Sequence, residues 1–457
     1  MGCQGSLADI VQALSARPEN ILESQLKEQV SGITADSRRV QPGHLFVALR
    51  GDRFDGHAFV ETALAQGAAA AVVSNSLDAY AKLPTLWVPD TLDAYQRLGR
   101  WWRDRFPHPL VAITGSVGKT TTKELIAAVL GTHGPVLKTQ ANFNNQIGVP
   151  QTLLELEPEH HRFAVIEMGM RAAGEIALLS QITHPDVAVI TNVGTAHIGR
   201  LGSEAAIAQA KCELLAEMHN GGIAVLNIDN DRLMATAAKV WQGTTITYGL
   251  EGGDVQGNLV NAHTLHVEGM TFDLPLPGRH NAQNFLAALA VARAVGIDWA
   301  SLQTGLQVEL PAGRAQRHRL PNDVVILDET YNAGLESMVA ALQLLADLPG
   351  ARRIAVLGTM KELGERSPDF HHQVGVAVRA LGIDHLLVLA DPAEAAALLQ
   401  GATPLPAVAF ADPASLVTQL LNLIQPGDRL LFKASRAVAL DRVVAEVMQQ
   451  LAATTTT

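Results

Sequence analysis

A chain of 457 residues with 48% hydrophobic side chains has ample apolar content, and at this length a single core divides into two to four domains. A formal charge of −11 is repelled by phosphate backbones and anionic lipid alike, which excludes nucleic acid and membrane surfaces as partners and leaves local basic pockets for small anions. Two cysteines, Cys3 and Cys212, exclude a disulfide framework and a cysteine-based zinc site, and fit a reducing compartment.

The amino terminus lacks a charged segment followed by an apolar one, and no apolar run approaches the roughly 18 residues of a membrane span. The expectation is a cytoplasmic protein without membrane insertion. In ADSRRVQPGHLFVALRGDRFDGHAFVETALAQGAAAAVV, turns at Pro42-Gly43, Gly51-Asp52 and Asp55-Gly56 punctuate short strands, followed by a helix and another strand. This predicts a small mixed α/β domain over residues 1–105. Two prolines in FPHP, residues 106–109, interrupt a helix carrying Trp101 and Trp102 and mark a boundary.

From there, β-branched runs alternate with helical segments: LVAITG, FAVIEMG, VAVITNVG, GIAVLNIDN, DVVILDE, RRIAVLG, HLLVLA and RLLFKAS. Runs without in-and-out alternation are those of buried parallel strands, so the remainder is doubly wound α/β. A second boundary falls at LPAGR, residues 310–314, dividing a central domain (106–313) from a carboxyl-terminal one (314–457). The TTTT ending is expected to fray without chemistry.

The first such run leads into VAITGSVGKTTTKE, residues 111–124. A strand that stops at a glycine turn and feeds a helix gathers free N–H groups and the positive end of the helix dipole, which attract phosphate. Gly115 and Gly118 allow close backbone approach, Lys119 can reach the β and γ phosphates, and the Thr120 hydroxyl suits magnesium. The standard spacing would put a glycine at 113, where Ile113 stands, so the loop is a shorter form.

In open parallel sheets, chemistry gathers beyond the carboxyl ends of strands. Glu167 ends one strand and His197 lies in a glycine-punctuated loop after another; beside the phosphate loop they suit a magnesium shell. Lys211, in AAIAQAKCELLAEM, reads as a solvated helix lysine. In PGRHNAQN, helix capping by Asn281 and recognition of a base or ribose by His280, Asn281 and Asn284 both fit. Arg314 suits phosphate and Asp328 suits ribose hydroxyls, each with a structural alternative.

These segments, in this order and over nearly the whole chain, resemble the Mur ligase family, ATP-dependent amide-forming enzymes of peptidoglycan precursor synthesis. The short TGSVGKTT loop is that family's form of the phosphate loop; ANFNNQIGVPQTLLEL, IEMGM, ITNVGTAHIGRLGS, AQAKCELL, LNIDN and LPGRHNAQN follow. LDETYNAGLESM, VLGTMKELGERS and FKASRAVALDRVV match the MurF-type branch, which joins D-alanyl-D-alanine to UDP-N-acetylmuramoyl-tripeptide. The alternative is the MurE type, which adds the third amino acid to the UDP-dipeptide.

The resemblance implies a small amino-terminal domain for the UDP-sugar, a central ATPase-like parallel sheet and a Rossmann-like carboxyl-terminal domain, in a monomer. It implies that Gly115, Ser116, Val117, Gly118, Lys119, Thr120 and Thr121 hold the ATP phosphates, with Thr120 and Glu167 on one Mg²⁺. His197 serves a second ion, beside Lys211, which matches the family's carbamylated lysine. Asn281 becomes an adenine-side contact, Arg314 a phosphate contact and Asp328 a ribose contact, with Tyr331 and Asn332 in the hinge that follows. Ser37 and Arg38 match the motif that holds the UDP-sugar, and Asn142 and Asn145 line the cleft. Thr359 stands where the family has an acidic residue, Ala434 where it has glycine and Leu335 where it has proline, departures that bear on the acceptor pocket.

Overall fold

The computed structural model describes residues 2–51, 54–75, 80 and 82–454; Asp52 and the last three threonines of the tail lie outside the described residues. Three principal sheets follow one another along the chain, giving the α/β class expected from the sequence.

The first part contains β1 (Gly5–Ser6), α1 (Leu7–Leu14), β2 (Arg17–Glu19), β3 (Gln29–Val30), β4 (Gly32–Thr34), β5 (His44–Val47), α2 (Val60–Ala65), β6 (Ala70–Val73), β7 (Thr85–Trp87) and α3 (Thr91–Arg103). Its sheet runs β2-β7-β6-β5-β4, parallel except for the β2–β7 pair, and β1 and β3 form a separate antiparallel pair. Asp90 caps α3 by accepting from the N–H groups of Leu92 and Asp93. The helix ends at Arg103, before either proline of FPHP. The buried Arg103 guanidinium donates to the carbonyls of Thr183, His184 and Phe106 and pairs with Asp186 at 2.8 Å, so α3 is bolted to the next domain.

The middle part holds β8 (Leu110–Thr114), α4 (Lys119–Gly131), β9 (Val136–Lys138), α5 (Gly148–Leu154), β10 (Phe163–Glu167), α6 (Glu175–Thr183), β11 (Val187–Ile190), α7 (Ile198–Leu201) and α8 (Glu204–Ala216). It continues with β12 (Ile223–Asn227), α9 (Asp231–Val240), β13 (Thr244–Gly249), β14 (Val255–Asn261), β15 (Thr264–Val267), β16 (Met270–Asp273) and α10 (Arg279–Ala294). The order is β16-β15-β14-β13-β12-β11-β8-β10-β9, parallel from β14 to β9. β8 lies between β10 and β11, so the strand order reverses at its end, where ligands of such sheets bind. The β14–β16 meander is antiparallel and alternates buried with exposed residues along β14, so it gives no continuous apolar run. Helix α10 is buried around most of its circumference from Asn281 to Ala292, with Phe285 and Leu286 in the core it shares with α4. Each such side chain contributes about 1.5–3 kcal/mol of burial.

The last part comprises β17 (Gln316–Leu320), β18 (Val324–Glu329), α11 (Leu335–Asp347), β19 (Arg353–Gly358), α12 (Ser367–Ala380), β20 (His385–Leu389), α13 (Pro392–Ala402), β21 (Ala407–Ala409), α14 (Pro413–Leu423), β22 (Arg429–Lys433) and α15 (Leu440–Thr454). The sheet order is β17-β18-β22-β19-β20-β21, with only β17 antiparallel. Among the described residues no helix is long and apolar enough to cross a membrane.

Candidate active site

The phosphate loop leaves β8 at Thr114 and enters α4 at Lys119. Both glycines are required by their surroundings. A Cβ at Gly115 would lie 1.8 Å from Thr191 Oγ1, and Gly118 combines a φ of 82° with an approach of 2.7 Å to Asn284 Oδ1. Lys119 curls back over the loop, donating to the carbonyls of Gly115 at 2.7 Å and Ser116 at 3.4 Å. Burial holds the Lys119 pKa below the ordinary lysine range; Glu167 opposes that shift and Arg314 adds to it. The Thr120 hydroxyl donates to Glu167 Oε2, and Asn144 donates to Oε1 of the same carboxylate, both at 2.9 Å.

The loop after β11 straps this turn from the side. Asn192 Oδ1 accepts from Ser116 N at 3.1 Å and Val117 N at 3.0 Å, while Gly194 N donates to Ser116 Oγ at 2.9 Å. His197 adopts φ 67°, and its Nδ1 lies 2.5 Å from Glu362 Oε2 of the carboxyl-terminal domain. The His197 ring beside it holds the Glu362 carboxyl below its usual range, against the effect of burial. Lys211 is not the solvated lysine that helix periodicity suggested. It is 1% exposed, makes no hydrogen bond or ion pair among the described residues, and has a pKa far below the ordinary value through burial and the Lys119 charge.

A cavity of about 930 Å³ lies between the central and carboxyl-terminal sheets. Ser116, Val117, Gly118, Lys119, Thr120, Thr121, Asn142, Asn145, Glu167, His197, Asn281, Arg314, Tyr331 and Asn332 all line it. The Arg314 guanidinium stacks 4.0 Å from the Tyr331 ring, and its buried Nε has no hydrogen-bond partner among the described residues. Helix α10 begins after Gly278, so Asn281 lies within its first turn and is not the cap; its Nδ2 donates to Pro277 O at 2.9 Å. Asn145 Oδ1 accepts from the N–H groups of Ile147 and Gly148.

Gly115, Lys211, Asp328, Ser37 and Arg38 are not among the residues lining this cavity. The Asp328 carboxylate accepts from the backbone N–H and hydroxyl of Thr330. Ser37 and Arg38 form a short 3₁₀ turn in the amino-terminal domain, where Arg38 grips Asp36 through two bonds of 2.9 and 2.7 Å. Sequence reasoning assigned no role to Asn192, Asn144, Glu336, Glu362 or Lys433, although the last three sit inside motifs that identify the branch. Lys433 donates to Asn332 O at 3.1 Å and lies 3.6 Å from Glu329. Of the three departures, none lines the cavity. Thr359 Oγ1 accepts from Asp391 N, Ala434 is fully buried against Gly358, and Leu335 opens α11.

These residues fit magnesium and nucleotide. Thr120 and Glu167 are paired hard oxygen donors at a phosphate cradle, and among the described residues no cluster of three His, Cys, Asp or Glu side chains is built to hold a metal alone. That suits an ion whose remaining ligands are phosphate oxygens and water. Burial of Lys211 favours its neutral amine, the form that could add carbon dioxide and lose a proton to give a carbamate.

Comparison with known proteins gives a consistent answer. Residues 29–102 match the model described as Mur ligase family, catalytic domain; 113–292 match the Mur ligase middle domain; and 313–436 match Mur ligase, glutamate ligase domain. The chain is 52% identical over 451 residues to the UDP-N-acetylmuramoyl-tripeptide--D-alanyl-D-alanine ligase of Synechocystis sp., covering 98% of this chain and 99% of that one. It is similar to the crystal structure of MurF from Acinetobacter baumannii, with TM-score 0.88 and 34% identity over 98% of this chain and 99% of that one. The MurF ligase from Thermotoga maritima in complex with ADP gives TM-score 0.80 and 31% identity over 92% and 98% of the two chains. The chain belongs to the Mur ligase family.

Proposed function

We propose that this protein joins D-alanyl-D-alanine to UDP-N-acetylmuramoyl-tripeptide at the expense of ATP, in peptidoglycan precursor synthesis. The observation that carries the reading is the phosphate loop with its Thr120–Glu167 pair opening into a cavity whose far wall is the carboxyl-terminal domain. The Synechocystis relative bears the name of this reaction at 52% identity, so addition of the third amino acid is not favoured.

Amide formation from a carboxylate is uphill in water, so the acid must first gain a leaving group. The terminal carboxylate oxygen of the tripeptide attacks the γ-phosphorus of ATP, the bond to the β-γ bridging oxygen breaks, and ADP leaves. The dipeptide amine then attacks the acyl carbonyl, inorganic phosphate departs, and the amine proton is lost. Catalysis of such a transfer is mostly positioning and charge stabilisation. Lys119 and the 115–121 backbone hold the phosphates, with Arg314 opposite them. Two magnesium ions, when bound, supply further positive charge to the phosphate oxygens. Thr120 and Glu167 would hold one, His197 and carbamylated Lys211 the other.

Asn281 would face adenine, Asp328 the ribose, and Tyr331 and Asn332 the hinge beside them. Ser37 and Arg38 would take the UDP end of the donor, with Asn142 and Asn145 along its path. Residues 1–105, 106–313 and 314–457 would act as three domains in a cytoplasmic monomer that excludes water from the acyl phosphate. The test is phosphate release with ATP and either UDP-dipeptide or UDP-tripeptide, each supplied with single amino acids or D-alanyl-D-alanine. Release confined to UDP-tripeptide with D-alanyl-D-alanine is expected; release with UDP-dipeptide and a single amino acid would transfer the chain to the other branch.

A further inference from the structure

We propose that Glu336 is a positioning residue that couples closure of the carboxyl-terminal domain to the geometry of the phosphate loop. The inference rests on the ligase reading above. Glu336 lies in the first turn of α11 and reaches across the cleft to the loop after β11. Its Oε1 accepts a 2.7 Å bond from Thr195 N, and its Oε2 accepts one of 3.2 Å from Thr195 Oγ1. Both bonds are charge-assisted, the stronger kind. The approach depends on bare backbone, because a Cβ at Gly194 would lie 2.4 Å from Glu336 Oε1.

The next peptide group toward the phosphate loop makes the second half of the relay. Gly194 N donates to Ser116 Oγ, and two residues earlier Asn192 Oδ1 holds the N–H groups of Ser116 and Val117. Consecutive N–H groups of one short loop are therefore divided between two bodies. Thr195 is held by the carboxyl-terminal domain and Gly194 holds the nucleotide loop. Movement of α11 away from the central sheet must either break the Glu336 bonds or pull the strap that shapes the turn.

The folding of α11 does not need this contact. Its first turn is already tied by Ser337 Oγ, which exchanges bonds with the Gly334 N–H and carbonyl, and Met338, Leu342 and Leu345 anchor it in the core. Removing the Glu336 carboxylate should change closure and rate while leaving the fold intact.

Wild type, Glu336→Ala and Glu336→Gln are compared by phosphate release with UDP-tripeptide and D-alanyl-D-alanine, by thermal melting, and by small-angle scattering of the free proteins. For Glu336→Ala a kcat about tenfold lower is expected, the loss of a charge-assisted bond, with KM for D-alanyl-D-alanine within about twofold. Its melting temperature should match wild type and its radius of gyration should be larger. Glu336→Gln keeps an oxygen acceptor for Thr195 N and should recover most of the rate and the compact profile. Wild-type rate and dimensions in Glu336→Ala would overturn the proposal, as would an equal loss of rate in Glu336→Gln with wild-type dimensions, which would mean that the charge acts on a reactant. A parallel drop in melting temperature would also overturn it, assigning Glu336 a merely structural role. If wild type releases no phosphate with these substrates, the ligase reading fails, and scattering still decides whether Glu336 holds the two domains together.

Discussion

The Thr120 hydroxyl donates a 2.9 Å hydrogen bond to Glu167 Oε2, joining the first turn of α4 to the end of β10 across the mouth of the phosphate loop. Two oxygens presented together beside a phosphate cradle are a half-built site for a hard dication. Glu167→Gln keeps the shape and the Asn144 contact while removing the charge. It is expected to lower kcat/KM on the order of 10²–10³-fold and to raise the magnesium concentration needed for half-maximal phosphate release. A variant with the wild-type magnesium curve would remove Glu167 from the metal shell.

Lys119 is buried against the loop it closes, and burial holds its pKa down. Lys119→Met should therefore separate rate from stability. Phosphate release falls on the order of 10²–10³-fold, while the melting temperature stays level or rises because a poorly solvated ammonium is gone. A variant that melts clearly earlier would show that the lysine ties the fold together and is not kept for its ligand.

For Lys211, burial without an ion pair among the described residues predicts chemical dependence on carbon dioxide. Lys211→Ala should be nearly inactive and should regain part of its rate with short-chain carboxylates, which can stand in the vacated space. Preparations depleted of bicarbonate should lose activity and recover it on re-addition. Indifference of the rate to both substitution and bicarbonate would refute carbamylation.

At the amino-terminal end, the Arg38 side chain hydrogen-bonds Asp36 and holds its carboxyl below the ordinary value of 3.8, against a smaller opposing effect of burial. A depressed carboxyl contributes stability that is complete above the unfolded pKa and is lost as the pH falls through the folded one. The pair is thus intact from pH 5 upward on this ordinary scale, and affinity for the UDP donor should show no titration from Asp36 between about pH 6 and 9. Asp36→Asn frees the Arg38 fork and should raise KM for the UDP donor several-fold with kcat unchanged. An unchanged KM, measured at saturating ATP, would place the UDP end elsewhere.

Much of the architecture was legible because buried parallel strands announce themselves as unbroken apolar runs. All eight runs quoted from the sequence are strands, and β8 ends where the shortened glycine turn begins. What escaped was structure whose signal is weak or non-local. The β14–β16 meander exposes one face and alternates, and β9 and β21 are three residues long. Lys211 escaped because helix periodicity says nothing about what packs over a helix. Glu336 and Glu362 escaped because their partners, Thr195 and His197, lie more than 130 residues away in sequence. For Asn281 the residue type left capping and ligand recognition both open, and only the helix start at Gly278, three residues earlier, removes the first.

The Arg103 anchor has a consequence for donor selection. With its guanidinium spread over three carbonyls and Asp186, Arg103 ties the end of α3 to the segment between α6 and β11 in the sheet that carries the phosphate loop. If Ser37 and Arg38 hold the nucleotide end of the donor, as proposed, that tie would work as a ruler. The reactive carboxylate would then have to arrive at the phosphate loop. A peptide shorter by one residue would then fall roughly 3.5 Å short of the γ-phosphorus, and chain length would be measured before chemistry begins.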